Sequence, residues 1–131
     1  MTYQYDSTNI FAKILRGEVD CNKIYENNYA LAFHDINPQA PTHVLVIPKG
    51  EFVHYEHFLE IASPDFVFGF GQAVLQVLIS VKHHAGFRMI VNQGLYGGQE
   101  VQHFHVHILS GCKLGSMLNA DFINQQKGVT S

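Results

Sequence analysis

The 131-residue sequence has no tryptophan, four prolines and two cysteines. Cys21 and Cys112 form no CxxC spacing. This excludes a disulfide framework and a cysteine-based zinc knuckle, and leaves two ordinary thiols of a reducing compartment as the expectation. Charge is also scarce: 8 basic and 11 acidic side chains give a net −3, with no basic block of five or more. On charge grounds a nucleic-acid backbone is excluded as a partner, although a small anion bound by local donors is not. The start, MTYQYDSTNI, has neither the basic residues nor the apolar stretch of a secretory signal. The most apolar region, from Phe66 to Val81, is broken by Gly69, Gly71, Gln72 and Gln76 and reads as too interrupted for a membrane span. A soluble, cytoplasmic protein is expected.

What is present fits one domain over residues 1–131, with 47% apolar and 15% charged residues. A chain of this size buries roughly two-thirds of its unfolded surface and needs no covalent staples. Residues 1–8 are polar and expected to be loose, and 116–131 read as a mixed tail. In NIFAKILRGE, Ile10, Phe11, Ile14 and Leu15 have helical spacing, with Asn9 as a cap and Gly17 just past the end. NKIYEN and YALAFHDI read as strands around a turn at Asn27-Asn28, and THVLVIPK as a strand ended by Pro48. A main helix of about 20 residues starts at Ser63-Pro64-Asp65, carries the stripe Phe66, Phe70, Val74, Val77, Leu78, Val81, and is expected to terminate at Gly86. FRMIVNQG and HFHVHILSG read as further strands, separated by the glycine-rich loop LYGGQEVQ. Strands joined by short turns imply a mostly antiparallel sheet with packed helices, an α+β fold.

The last strand holds His103, His105 and His107 in alternation with Phe104, Val106 and Ile108. Strand geometry places the two sets on opposite faces, one for chemistry and one for the core. Over about 13 Å the three imidazoles cannot readily share one zinc ion, because each nitrogen must approach to about 2.0–2.1 Å. A neighbouring pair completed from elsewhere, a merely structural row, and a surface for acid–base or nucleophilic work all remain open. Gly97 and Gly98 just before the row, with Asn92 at the end of the neighbouring strand, make a plausible phosphate cradle.

The run NQGLYGGQEVQHFHVHILS resembles the signature of the histidine triad (HIT) proteins. NIFAKILRGE, AFHDINPQAPTHVLVIPK, FRMIVNQG and LGSML are similar to the Hint branch, the purine nucleoside phosphoramidase-like members. Glu51 to Ser63 is the least family-like segment and reads as a variable connection. The resemblance implies a five-stranded antiparallel sheet with two helices per subunit, the sheets of a homodimer joining into one. It implies hydrolysis of nucleoside 5′-phosphoramidates through a nucleotidyl-histidine intermediate, with AMP or another purine nucleotide released and no cofactor or metal. In that reading His105 is the nucleophile, held by a backbone carbonyl near His103. His107 serves a phosphate oxygen or the leaving group, and His103 and His43 support the array from behind. Asn92, Gly98 and Gln99 line the phosphate site. Phe11, Ile14, Phe33, His34, Asp35 and Ile36 form the nucleoside site, with Asp35 on the ribose hydroxyls; ordinary core packing is the competing reading of the apolar members.

Two departures from the family pattern are visible. The CxxC pair that some members carry at the first helix is replaced by Asn9 and Ala12, which implies that no zinc site forms there. Position 100 is Glu where the Hint branch often has a small hydroxyl, and a carboxylate cannot donate to a phosphate unless protonated. Phe104 and Val106 argue against the nucleotidyltransferase branch, which has proline between two triad histidines. Dinucleoside polyphosphate hydrolysis and nucleotide-dependent regulation are the alternative functions. His54, His57, His83 and His84 read as surface or helix-end residues.

Overall fold

A computed structural model describes residues 3–119. Most of the C-terminal tail read from the sequence therefore lies outside the described residues. In chain order the elements are α1 (Ile10–Leu15), β1 (Lys23–Glu26), β2 (Ala30–His34), β3 (Thr42–Pro48), α2 (Tyr55–Ile61), α3 (Pro64–Val81), β4 (Phe87–Ile90), α4 (Gly94–Gly97) and β5 (Val106–Ser110). The strands form one antiparallel sheet in the order β1-β2-β3-β5-β4. This is the α+β fold expected, with four helices where two were foreseen.

Short-range chemistry sets most boundaries. The Asn9 side chain accepts from Ala12 N–H at 2.9 Å and starts α1. Asn27 accepts from both Tyr29 and Ala30 N–H and makes the β1–β2 turn. Ser63 accepts from Phe66 N–H, and Pro64 opens α3. The α3 stripe lands on the sheet as expected: Phe70, Ala73 and Val77 join Val44, Val46, Phe104, Val106 and Ile108 in the main core, with Phe66, Val74, Leu78 and Val81 packed around them. A helix of 18 residues with mean hydropathy 1.4 is, by length and composition alone, apolar enough to cross a bilayer despite its glycines and glutamines. Here its apolar stripe covers a sheet instead. At Gly69 the helix packs directly against the β1–β2 turn, since a Cβ there would lie 2.1 Å from the Tyr29 ring.

Four expectations are corrected. The helix ends at Lys82, in a left-handed conformation with φ 51°, rather than at Gly86. Glu51 to Ser63 contains α2, capped by the His54 imidazole and anchored by buried Phe58. One helical turn, α4, interrupts the glycine loop. Finally, of the segment expected to be loose, residues 5–8 are held in place, while residues 1 and 2 lie outside the described residues. Asn9 bonds back to Asp6, Arg16 reaches the Ser7 carbonyl, and the Tyr5 hydroxyl bonds His103 Nδ1.

β5 also starts later than expected, at Val106. Its ladder with β3 runs from Thr42–Ser110 to Val46–Val106 and then stops at Pro48, which has no N–H to offer. The Pro48 carbonyl accepts from the His103 imidazole, and the Phe104 N–H goes to the Phe52 carbonyl at 2.7 Å. The alternation survives without the ladder: Phe104, Val106 and Ile108 are core, and the histidines face the other way.

Candidate active site

The second face of the sheet carries a smaller cluster of Phe11, Leu31, Phe33, Leu45 and Ile47, and beside it opens a cleft of about 470 Å³. The cleft is lined by α1, the β2–β3 connection, the glycine loop and the histidine row. Phe11, Ile14, Phe33, His34, Asp35, Ile36, Asn92, Gly98, His105 and His107 all line it, so most of the predicted site residues meet in one place. Phe11 and Phe33 serve double duty: they are almost fully buried, packed edge to face at 5.8 Å, yet each presents an edge to the cleft. Ile36 is nearly fully exposed at the rim. Gly98 sits at φ 76°, which any side chain would resist.

Three predicted residues stand behind the cleft. His103 is fully buried and His43 nearly so. Gln99 is absent from the lining; its amide donates to the Val53 and Val101 carbonyls and accepts from Gly94 N–H. Its side chain braces the glycine loop. Glu100, whose direction the sequence left open, does face the cleft.

Hydrogen bonding fixes the tautomer of each imidazole. His103 Nε2–H donates to the Pro48 carbonyl at 2.9 Å, so its Nδ1 accepts from the Tyr5 hydroxyl. His105 Nδ1–H donates to the His103 carbonyl at 2.7 Å. Its Nε2 keeps a lone pair that no described residue engages. His43 Nδ1 accepts from the Gln39 N–H, so its Nε2–H must donate, and it does so to His107 Nδ1 at 2.9 Å. His107 therefore carries its own proton on Nε2. The outcome is a lone pair on His105 beside an N–H donor on His107, with ring centroids 5.1 Å apart.

Asp35, His43 and His107 offer ligand atoms within 4.8 Å of one another, a spacing that could hold a metal ion. The hydrogen bonds argue against that use. A metal on His43 Nε2 would force the proton onto Nδ1, where it would oppose the Gln39 N–H. The Asp35 carboxylate, 3.4 Å from His43 Nε2, faces the same N–H as a second acceptor and so also favours the proton on Nε2.

Burial keeps the row uncharged. It lowers the pKa of His103 to about 4, helped by His105 and opposed by the Pro48 carbonyl. It lowers that of His107 to about 4, helped by the neighbouring His105 and His43. Burial lowers His105 too, against its bond to the His103 carbonyl and the charges of Asp35 and Glu100. A neutral His105 imidazole at neutral pH follows. So does a pH dependence of stability. In the unfolded chain these histidines protonate near 6.5. Between that value and about 4 the unfolded chain binds protons that the folded chain does not. Stability is therefore full above pH 6.5 and falls as the pH drops towards 4, by roughly 3 kcal/mol for fully buried His103 alone. Urea midpoints at pH 7.5 and 5 check this; a flat profile contradicts it.

Sequence reasoning missed Tyr5, which lies in a segment read as loose and bonds a residue far along the chain. It also assigned no role to His54 and His57. The first caps α2, and the second accepts from Val53 N–H through Nδ1.

The HIT domain family matches residues 16–114. An uncharacterized 13.2 kDa HIT-like protein of Azospirillum brasilense is 46% identical over 119 residues, covering 90% of this chain and 98% of its own length. Among solved structures, a histidine triad protein from Clostridium difficile superimposes with a TM-score of 0.73 at 39% identity, covering 88% of this chain and all of that one. A HIT family hydrolase from Clostridium thermocellum gives 0.73 at 33% identity, with 86% and 97% covered. The chain belongs to the HIT family.

Proposed function

We propose that the chain hydrolyses the P–N bond of nucleoside 5′-phosphoramidates. The observation that carries this reading is the free Nε2 lone pair of His105 in a cleft floored by aromatic rings, its other nitrogen locked to the His103 carbonyl. His105 Nε2 attacks phosphorus as the P–N bond breaks, giving a nucleotidyl-imidazolium. The Nδ1–H bond to the carbonyl stabilises the new positive charge, and Asp35 and Glu100 favour it further. The departing nitrogen leaves as an amine, its proton drawn from water beside the His107 Nε2–H. The remaining hydroxide attacks phosphorus, the P–Nε2 bond breaks, and the nucleoside monophosphate leaves with one water consumed overall. Phe11, Ile14, Phe33 and Ile36 hold a purine, and Asp35 holds the ribose. The hydrolase names of solved relatives agree with this class of reaction.

The enzyme works as a homodimer in this reading. β4 is an edge strand with Phe87 and Met89 exposed, and α3 exposes Phe68 and Ile79. Such a combination invites pairing with a second copy.

The test is incubation of the purified chain with an adenosine phosphoramidate in the presence of a strong chelator. Release of AMP is expected. Cleavage of a diadenosine polyphosphate with no turnover of the amidate would replace this reading by the other hydrolase activity, and tight AMP binding without turnover of either would favour a regulatory role.

A further inference from the structure

The cleft is built without cations. Its lining includes Asp20, Asp35 and Glu100 and, among the described residues, no lysine or arginine. His105 and His107 add no positive charge at neutral pH, because burial keeps both rings neutral. The three carboxylates are not equivalent. Asp35 is engaged, one oxygen accepting from Asn37 N–H and the other beside His43. Asp20 lines the cleft with Val19 and Cys21, and its charge is not among those felt by the triad histidines. Glu100 stands at the triad end, two residues past Gly98, and its charge is felt by His105. It is exposed, and it makes no hydrogen bond or ion pair among the described residues. An unpaired carboxylate at a site that binds phosphate penalises each further negative charge on the substrate and attracts positive charge.

Resting on the phosphoramidase reading, we propose that Glu100 is a charge filter that selects substrates by the charge of the leaving group. It favours phosphoramidates of amines that bear a second, cationic group and rejects polyphosphate leaving groups. No lysine or arginine among the described lining residues offsets its repulsion of a polyphosphate chain, and a cationic tail leaving through the mouth would pair with it. Glu100 touches no reacting atom in this account. It sets specificity through its field.

The experiment uses the full-length protein and three adenosine 5′-phosphoryl substrates. Their leaving groups are a diamine with a free ammonium, a neutral alkylamine of similar length, and the nucleotide end of diadenosine tetraphosphate. For each, kcat/KM of Glu100→Gln is divided by that of the wild type, which cancels the intrinsic reactivity of the bond. At low salt the ratio is expected to differ by about fourfold per unit of leaving-group charge, as for two unit charges about 5 Å apart in water. It should fall for the cationic amine and rise for the tetraphosphate. Glu100→Lys should widen the spread, and 0.5 M salt should shrink it. A merely structural role of Glu100 would change all three ratios equally, and that result overturns the filter. Wild-type protein that turns over neither amine overturns the phosphoramidase reading and the filter with it, whereas turnover with equal ratios overturns the filter alone.

Discussion

His105→Ala should lower adenosine phosphoramidate turnover by about 10⁴-fold or more while AMP still binds. The asymmetry follows from where the imidazole sits. The purine would be held by Phe11, Ile14, Phe33 and Ile36, none of which depends on His105 for its position, and Phe11 meets the His105 ring only edge-on at 5.0 Å. Removing the ring takes away the only free imidazole lone pair among the triad and His43. His103 points its donor at Pro48, and His107 and His43 bond each other. No neighbour can take over as nucleophile without breaking one of these bonds. Single-turnover assays with labelled substrate give the second check. A phosphorus–histidine adduct should accumulate in the wild type at short times and be absent in the variant. Turnover within tenfold of the wild type would remove His105 from its role. The acid limb of kcat/KM offers a further check, because burial places the His105 pKa below 6.5 and activity should persist to that side.

The largest effect on stability is expected at the other face of the same row. Phe104 is 2% exposed and lies in a nest of aromatic rings, stacked on Tyr55 at 5.2 Å and tilted against Phe58 at 5.0 Å and Phe70 at 5.3 Å. It thereby joins α2 and α3 to the segment that carries the histidines. Phe104→Ala should cost about 3–5 kcal/mol, from lost burial and the cavity left behind. In a chain of this size that is a fall in Tm of roughly 10–20 °C. Differential scanning calorimetry measures it. Loss of activity at 25 °C should accompany it, since His103 and His105 flank the void. Phe104→Leu, which refills much of the volume, should recover most of both.

The sequence was most legible where the physics is local. Alternation over Phe104 to Ile108 needs only strand periodicity, and the structure keeps it even where the ladder has ended at Pro48. The α3 stripe and the Asn9 and Ser63 caps are likewise decided within a few residues. The helix C-terminus was misjudged because Lys82 takes a left-handed conformation that glycine adopts more readily, four residues before Gly86 offers it. α2 was missed because its cap is an imidazole, a rare substitute for Ser or Asp, and because its hold on the fold is the long-range contact of Phe58 and Tyr55 with Phe104. The family resemblance placed Gln99 at the phosphate site together with Asn92 and Gly98. Only the fold reveals that its amide bonds the Val53 carbonyl across the loop. The family resemblance thus named the cleft-lining groups, whereas the groups that aim them are chosen by tertiary proximity.

Tyr5 is the extreme case, since its hydroxyl bonds an imidazole at position 103. On the ribosome the tyrosine is made 98 residues before its partner. At about 5–20 residues per second the phenol waits roughly 5–20 s for the histidine to be made, and longer for it to clear the exit tunnel. β3 meets β5 only at the same late stage. The cleft is thus completed by segments made far apart in time, and a nascent chain stalled before His103 lacks the imidazoles that complete it.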